Sequence, residues 1–264
     1  MQAEEAAVFE GFPKQRPELP EAYRDIYVSH YAENRGGGSR ATAVAQRLEA
    51  WMHRQVAKGA EQASGPTLEI GAGSLNHLPY EPNCERYDIV EPFSELYEDS
   101  PWRGKVGSIF GDVAEVDRSG YERIVSIACF EHLCDLPEVV ARCGVLLAGD
   151  GALRVAIPSE GGWLWKLAYT CTTGLEFRLH HGLDYGTLMR YEHVNRAHEI
   201  ETVLRYFFSE VSIRMLGVSR GSSLYQAFVC RSARLDRCGA QLGSGSSTSD
   251  KTATVEKGTP RTSG

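Results

Sequence analysis

The sequence predicts an α/β protein built on a doubly wound, mostly parallel β-sheet. Short apolar segments of strand length alternate with segments of helical periodicity between about residues 39 and 230. Three of the short segments end in an acidic residue, at the sheet edge where ligands bind in such folds. Two more strand-like segments, 211–216 and 223–229, flank a short turn and predict a C-terminal antiparallel hairpin.

The first elements are a helix and four strands. A helix is predicted from Ser39, which can cap it, with an apolar face of Val44, Leu48, Trp51 or Met52, and Val56. Strands are predicted at 67–70, 86–91, 105–110 and 122–130. The last of these is a continuous apolar run, which is typical of a central parallel strand covered on both faces.

Two helices and one strand complete the pattern. Asp135 and Glu138 have the spacing of a capping box and predict a helix from Asp135, ended by glycines 149 and 151. A strand at 152–157 and a helix from about Ala197 to Phe208 follow. The expected domains are an irregular lead-in (1–38), a main domain (39–230) with an insertion at 158–195, and a disordered tail (231–264).

Composition is that of a globular protein with an acidic body. The 264 residues are 42% hydrophobic and carry a formal net charge of −7. Residues 231–264 hold six Lys or Arg against three Asp or Glu, so the rest is more acidic than the total. This balance argues against nucleic acid as the main partner, since phosphate binding needs basic surface.

The cysteine content and the N-terminal sequence predict the cellular compartment of the protein. The seven cysteines are scattered without a CxxC pair, so no zinc site is predicted, and no metal site is expected. Free thiols are typical of a reducing compartment. The acidic N-terminus has no apolar signal region and no stretch is long enough to span a membrane, so a cytoplasmic protein is expected. The oligomeric state is left open.

Five motifs carry a resemblance to a known family. The segments "LEIGAGS", "YDIVEP", "IFGDV", "IVSIACFEHL" and "LLAGDGALRVAIP" resemble, in this order, the class I S-adenosylmethionine-dependent methyltransferases, most of all the small-molecule, type 11-like branch. The resemblance is strong over 65–157 and weaker over 192–230. It implies a Rossmann-like seven-stranded sheet, S-adenosylmethionine as cofactor and a small-molecule acceptor.

The glycine turn after the first strand favours this cofactor over NAD. Gly71 and Gly73, on either side of Ala72, let the chain turn sharply and let a ligand approach. Dinucleotide folds hold a pyrophosphate there. Glu69 would repel a pyrophosphate but suits a ligand with an ammonium group, and Asn76 stands where a third glycine is usual.

Further cofactor residues follow from the later strand ends. Glu91 is predicted to accept hydrogen bonds from the ribose hydroxyls, the alternative being a cap for the next segment. Asp112 would accept from the adenine amino group with Val113 beside the ring, by resemblance, although a solvated turn is a competing interpretation. Ala128 and Cys129 end the fourth strand and would line the ligand, Cys129 as a wall and not a nucleophile.

The candidate catalytic residues are Glu131, His132 and His193. Methyl transfer is an in-line displacement, so the protein must align the acceptor, and a hydroxyl acceptor must also lose its proton. His132 is a candidate general base, unless Glu131 and His132 only fix the loop by hydrogen bonds. His193 is expected to line the pocket, and His180 and His181 are alternative bases.

The insertion suggests the kind of acceptor. Its aromatic residues could stack on a sugar, a glycolipid precursor or a secondary metabolite, although most could equally form a packed cap; they are Trp163, Trp165, Tyr169, Tyr185 and Tyr191. Tyr31 and Arg35 of the lead-in could cover the cofactor carboxylate.

Two other functions remain open. An NAD(P)-dependent reductase is opposed by the missing third glycine and by the absence of a Tyr-x-x-x-Lys pair. A catalytically silent binding protein of the same fold is opposed by the intact acids at the strand ends.

Overall fold

The computed structural model describes residues 3–23, 43–159, 182–219 and 222–245 of the chain. Within them the strands are β1 (Thr67–Ile70), β2 (Tyr87–Val90), β3 (Val106–Phe110), β4 (Tyr121–Ile127), β5 (Leu147–Pro158), β6 (Phe208–Leu216) and β7 (Tyr225–Ala233). The helices are α1 (Ala3–Glu10), α2 (Ala43–Val56), α3 (Leu136–Leu146), α4 (Tyr185–Glu192), α5 (Ala197–Phe207) and α6 (Leu235–Gly245), beside short 3-10 turns.

The strands form a seven-stranded sheet in the order β3-β2-β1-β4-β5-β7-β6. Strands β1 to β5 are parallel, and β7 runs antiparallel between β5 and β6. This confirms the predicted fold class, including the hairpin. The chain starts in the middle, builds outward to β3, and returns to add β4 on the other side of β1, so the strand order reverses between β1 and β4.

Helices cover both faces of the sheet. On one face Met52 and Val56 of α2 pack against Val125, Ala156 and Ala227. On the other, apolar residues of α3, α5 and α6 join the sheet in the largest hydrophobic cluster, with α1 packed beside α5. Burial of this apolar surface is the main stabilising contribution to the fold.

Helix α3 begins where its capping residue predicts but ends differently. The Asp135 side chain accepts a hydrogen bond from the Glu138 N–H. Strand β5 then starts at once at Leu147, and not at Ala152 as expected. Its register against β4 shifts between Tyr121 and Arg123, and the two glycines lie in this irregular stretch. A Cβ at Gly151 would meet the Tyr121 carbonyl oxygen at 2.8 Å, which explains a glycine there.

Both ends of the chain are more ordered than expected. The lead-in, predicted irregular, contains α1, and the predicted disordered tail is wrong for 231–245, where β7 continues to Ala233 and α6 follows. Cys238 of α6 is fully buried and Leu242 packs against the core. Residues 246–264 and Ser39 lie outside the described residues, as does most of the insertion.

Within the described ranges, every helix is too short or too polar to cross a membrane.

Candidate functional site

The site lies where the strand order reverses, at the carboxyl ends of β1 and β4. The Ser126 hydroxyl of β4 donates to the Ile70 carbonyl of β1 at 3.0 Å, which joins the two strand ends. Parallel sheets bind ligands in the crevice above such a reversal. The segments that follow β1, β2, β3 and β4 therefore meet at one edge.

The two glycines of the turn after β1 have different surroundings. Gly71 has a φ of +72°, and a Cβ on it would collide with the sulfur of Cys129. Gly73 has a φ of +50°, and among the described residues a Cβ on it would meet no atom within 4 Å. Gly71 is thus required by packing, whereas Gly73 faces open space that a ligand can occupy. Ala72, between them, is buried.

Glu91 links the glycine turn to the end of β2. Its Oε2 accepts a hydrogen bond from the Gly73 N–H at 2.8 Å, and its Oε1 accepts from the Phe93 N–H at 3.2 Å. The carboxylate is largely buried beside the open space at Gly73. Both expected arrangements are compatible with the geometry, since Glu91 binds the backbone N–H at the start of the next segment and also borders the space at Gly73.

Glu69 has a partner that the sequence did not suggest. It is 2% exposed, and its Oε2 accepts a hydrogen bond from the Tyr87 hydroxyl at 2.7 Å. Burial raises the pKa of the Glu69 carboxyl to about 8, and the neighbouring Glu81 and Glu91 act in the same direction. A nearby positive charge, such as a ligand ammonium, would stabilise the ionised form of this carboxyl.

Asp112 is exposed and serves as the cap of a short turn. Its Oδ1 accepts a hydrogen bond from the Ala114 N–H at 2.7 Å. Val113, in contrast, is buried in the main core. The turn interpretation of Asp112 thus has a definite contact, and its exposed second oxygen stays available to a ligand.

Ala128 and Cys129 form a strained corner after β4. Ala128 has a φ of +50° and is exposed, and its N–H donates to the Ala156 carbonyl at 2.8 Å. A non-glycine residue in this region is strained, as is frequent at functional sites. Burial raises the pKa of the Cys129 thiol to about 12, which keeps it protonated, as a wall residue would be.

The three candidate catalytic residues come together. Glu131, His132 and His193 each offer a polar atom, and these atoms lie within 4.8 Å of one another. The two imidazole rings meet edge to face with centroids 4.6 Å apart. Burial, with the nearby His132 and Arg16, lowers the pKa of His193 to about 3, so this ring is neutral. Burial raises the pKa of Glu131 to about 8.

The tautomer of His132 follows from its hydrogen bond. Its Nδ1 lies 3.0 Å from the Glu192 carbonyl oxygen. A carbonyl oxygen only accepts, so Nδ1 carries a proton, and in the neutral form of the ring the lone pair is then at Nε2.

Asn195 and Arg16 are residues that the sequence analysis missed. The Asn195 amide donates to the carbonyls of Phe130 and Leu133, at 2.8 and 2.6 Å. The Arg16 guanidinium donates to the carbonyls of His132, Tyr191 and Glu192. Together they tie the segment after β4 to the segment before α5. Nothing local marks Arg16, because its partners are more than a hundred positions away.

Several predicted site residues lie outside the described residues. Of the aromatic set, Tyr185 and Tyr191 are described, and the Arg16 guanidinium lies over the Tyr191 ring at 5.7 Å. The remaining predicted site residues are outside the described ranges: Tyr31, Arg35, Trp163, Trp165, Tyr169, His180 and His181.

Comparison with known proteins identifies the fold. No family model and no curated protein sequence matches the chain. Among solved structures, an O-methyltransferase family protein from Burkholderia thailandensis is 14% identical over 88% of this chain and 69% of its own, with a TM-score of 0.53. The N-methyltransferase NodS from Bradyrhizobium japonicum, solved with S-adenosylhomocysteine, is 14% identical over 80% of this chain and 98% of its own, with a TM-score of 0.54.

A third similar structure, the CurJ carbon methyltransferase, is 16% identical over 81% of this chain and 61% of its own, with a TM-score of 0.50. The chain therefore has the fold of class I S-adenosylmethionine-dependent methyltransferases. These three proteins are an O-methyltransferase family protein, an N-methyltransferase and a carbon methyltransferase. The fold alone does not select the acceptor atom.

Proposed function

We propose that the protein is a methyltransferase that uses S-adenosylmethionine to methylate a small or medium-sized acceptor. The observation that carries this proposal is the open space at Gly73, bordered by the Glu91 carboxylate at the strand-order reversal. A nucleoside ligand needs such a place, with backbone close by and a carboxylate for its vicinal hydroxyls.

The cofactor would be held along the edge of the sheet. Glu91 would accept hydrogen bonds from the ribose hydroxyls, and Asp112 from the adenine amino group. Glu69 would favour the ammonium end, because a nearby positive charge would stabilise the ionised form of this buried carboxyl. The sulfonium methyl would then point toward the acceptor side, where Glu131, His132 and His193 lie together.

The acceptor group we favour is a hydroxyl, of a sugar, a glycolipid precursor or a secondary metabolite. Its oxygen forms a bond to the methyl carbon while the carbon–sulfur bond breaks and its electron pair stays on sulfur. The sulfonium becomes a neutral thioether, and the hydroxyl proton must leave. The lone pair at Nε2 of His132 is oriented for proton transfer by the Nδ1 hydrogen bond to Glu192.

Calorimetry tests cofactor binding directly. S-adenosylhomocysteine should bind the wild-type protein, and Glu91→Ala should weaken binding roughly tenfold or more, because a lost hydrogen bond to a charged group costs about 1.5–3 kcal/mol. Glu95→Ala, an exposed acid four residues away, is the control and should bind normally. Absence of binding at millimolar ligand would refute the proposal.

Two comparisons separate the other functions. NADH should give no increase in melting temperature under conditions where S-adenosylhomocysteine does, and the reverse result would favour a reductase. Incubation with radiolabelled S-adenosylmethionine and fractionated host extract should transfer label to a small molecule. Binding without transfer to any fraction would favour a silent binding protein.

A further inference from the structure

We propose that Glu131, His132 and His193 form a binding site for a divalent transition-metal ion. One carboxylate oxygen and two imidazole nitrogens lie within 4.8 Å of one another. Ligand atoms about 2.1 Å from one tetrahedral ion lie about 3.4 Å apart, so small side-chain rotations complete the site. No metal site was expected from the sequence, because the three residues are split between two distant segments and include no cysteine.

The Glu131 side chain is the first observation that points to a cation. It is 2% exposed, and its Oε2 has no hydrogen-bond partner among the described residues. A buried carboxyl oxygen without a partner costs free energy that most proteins avoid. A bound cation beside the two histidines would supply the missing interaction.

His132 is arranged as metal-binding histidines generally are. Its Nδ1–H donates to the Glu192 carbonyl oxygen, which turns the lone pair of Nε2 away from that contact. Such a hydrogen bond from the far ring nitrogen to a carbonyl fixes the tautomer and the orientation of a metal-binding imidazole. A proton on Nδ1 leaves Nε2 as the nitrogen that would bind the metal.

The backbone holds the two segments in place. The His193 N–H donates to the Met189 carbonyl at 2.8 Å at the end of α4, and the Asn195 N–H donates to the Glu131 carbonyl at 3.0 Å. The second bond joins the segment bearing His193 directly to the segment bearing Glu131 and His132. The backbone segments that carry the three side chains are thus positioned before any ligand arrives, which lowers the cost of binding.

The ligand types select the class of ion. Two imidazoles and one carboxylate suit zinc, iron(II), cobalt(II) or manganese(II), whereas magnesium and calcium prefer all-oxygen sites. Three protein ligands also leave coordination positions open. That is the arrangement of a catalytic site, because structural zinc sites have four protein ligands.

The catalytic role of the ion rests on the proposed methyl transfer, whereas the binding of the ion does not. An acceptor hydroxyl bound to an open position would have a lowered pKa and would release its proton to water. The oxygen then bonds to the methyl carbon as the carbon–sulfur bond breaks. Nε2 of His132 would in this case be a ligand to the ion and not the proton acceptor.

Metal binding is tested on the full-length protein after removal of bound ions with a chelator. Cobalt(II) alone is the probe, because its visible absorption reports coordination by protein ligands. We expect one cobalt(II) per chain. His132→Ala, His193→Ala and Glu131→Gln should each weaken binding roughly a hundredfold, since losing even a residue that supports a ligand costs about 10–100-fold.

The matched control is His198→Ala, an exposed histidine on the neighbouring α5. It should bind cobalt(II) like the wild type. Circular dichroism identifies variants that fail to fold, and Glu131→Gln, which keeps the shape of the side chain, then decides the outcome. No binding at millimolar cobalt(II), or equal binding by the folded site variants, would overturn the site.

Two further measurements separate this inference from the proposed function. Calorimetry with S-adenosylhomocysteine on the metal-free protein tests the cofactor site by itself, so cobalt(II) binding without cofactor binding would overturn only the methyl transfer. Transfer of label from S-adenosylmethionine to the acceptor should fall after chelation and return when zinc is added. Full turnover by the metal-free protein would overturn the catalytic role of the ion.

Discussion

Gly71 and Gly73 show how two like residues, two positions apart, have different surroundings. The missing side chain of Gly71 makes room for Cys129, whereas a Cβ on Gly73 would meet no atom of the described residues within 4 Å. The sequence showed only that the chain turns here. The difference arises from a residue that is distant along the chain, so no local pattern could reveal it.

Gly71→Ala should therefore destabilise the protein, and Cys129 should account for part of the loss. The positive φ and the contact with sulfur together should cost about 1–3 kcal/mol of unfolding free energy. Denaturant unfolding measures this loss. Adding Cys129→Ala should recover part of it. Because alanine keeps the Cβ of residue 129, which would lie 2.8 Å from the added methyl, an equal penalty in both backgrounds would show that the sulfur is not the cause.

Gly73→Ala is the matched comparison. It should lose less stability, because only backbone strain applies, while binding of S-adenosylhomocysteine falls. Calorimetry on both variants distinguishes the packing position from the ligand position, and unchanged affinity in Gly73→Ala would count against the open space being the cofactor site.

Glu69 makes stability depend on pH. Its pKa is about 8 in the folded chain against 4.5 ordinarily, so the folded state holds the proton more tightly. This contribution is fully present below about pH 4.5 and is lost as the pH rises to about 8. Glu69→Gln has no carboxyl to titrate at this position. Its free energy of unfolding should therefore increase relative to wild type as the pH rises. The increase should be a few kcal/mol, because each unit of pKa shift corresponds to about 1.4 kcal/mol.

Denaturant unfolding between pH 5 and pH 9 measures this difference. Glu131 also has a raised pKa, but it is present in both proteins and its effect cancels in the comparison. A difference between the two proteins that stays constant over this range would contradict the assignment.

At the scale of elements, α6 was missed because few of its side chains are apolar. Its fully buried residue is Cys238, and Leu235 is exposed. One of its contacts is a close approach to α3 at Gly144, where a Cβ would meet the Cys238 sulfur at 2.7 Å. The segments that were predicted well, such as β1 and β4, are short and carry several buried apolar residues, so they can be recognised without knowledge of a distant partner.

Gly144→Ala should accordingly destabilise the protein, although alanine favours a helix over glycine by about 1 kcal/mol. In a Cys238→Ala background the collision is absent, so the same substitution should become neutral or stabilising. Thermal unfolding of the four proteins in this cycle gives the coupling. Additive effects would show that α3 and α6 are not in close contact at this point.

At the scale of the whole molecule, the sequence predicted the strands of the sheet. It did not predict the contacts between distant segments that surround the candidate site. The strand ends that carry Glu91 and Asp112 could be predicted, because each follows a short apolar segment that can be recognised locally in the sequence. The closeness of Glu131 and His193 depends on how α4 and α5 return to the sheet. The contacts of Arg16 depend on the path of the lead-in. The Arg16 contacts and the Glu131–His193 contact each join residues that are far apart in the chain.

The position of β7 between β5 and β6 has a consequence for synthesis of the chain. β6 emerges from the ribosome before β7, yet in the described sheet it pairs with β7 alone. Until residues 225–233 are available, the edge of β5 stays open and β6 has no place in the sheet. Nascent chains that stop before this point therefore expose an unpaired edge, which is a site of aggregation. Completion of the described sheet therefore waits for β7, the last of its seven strands along the chain.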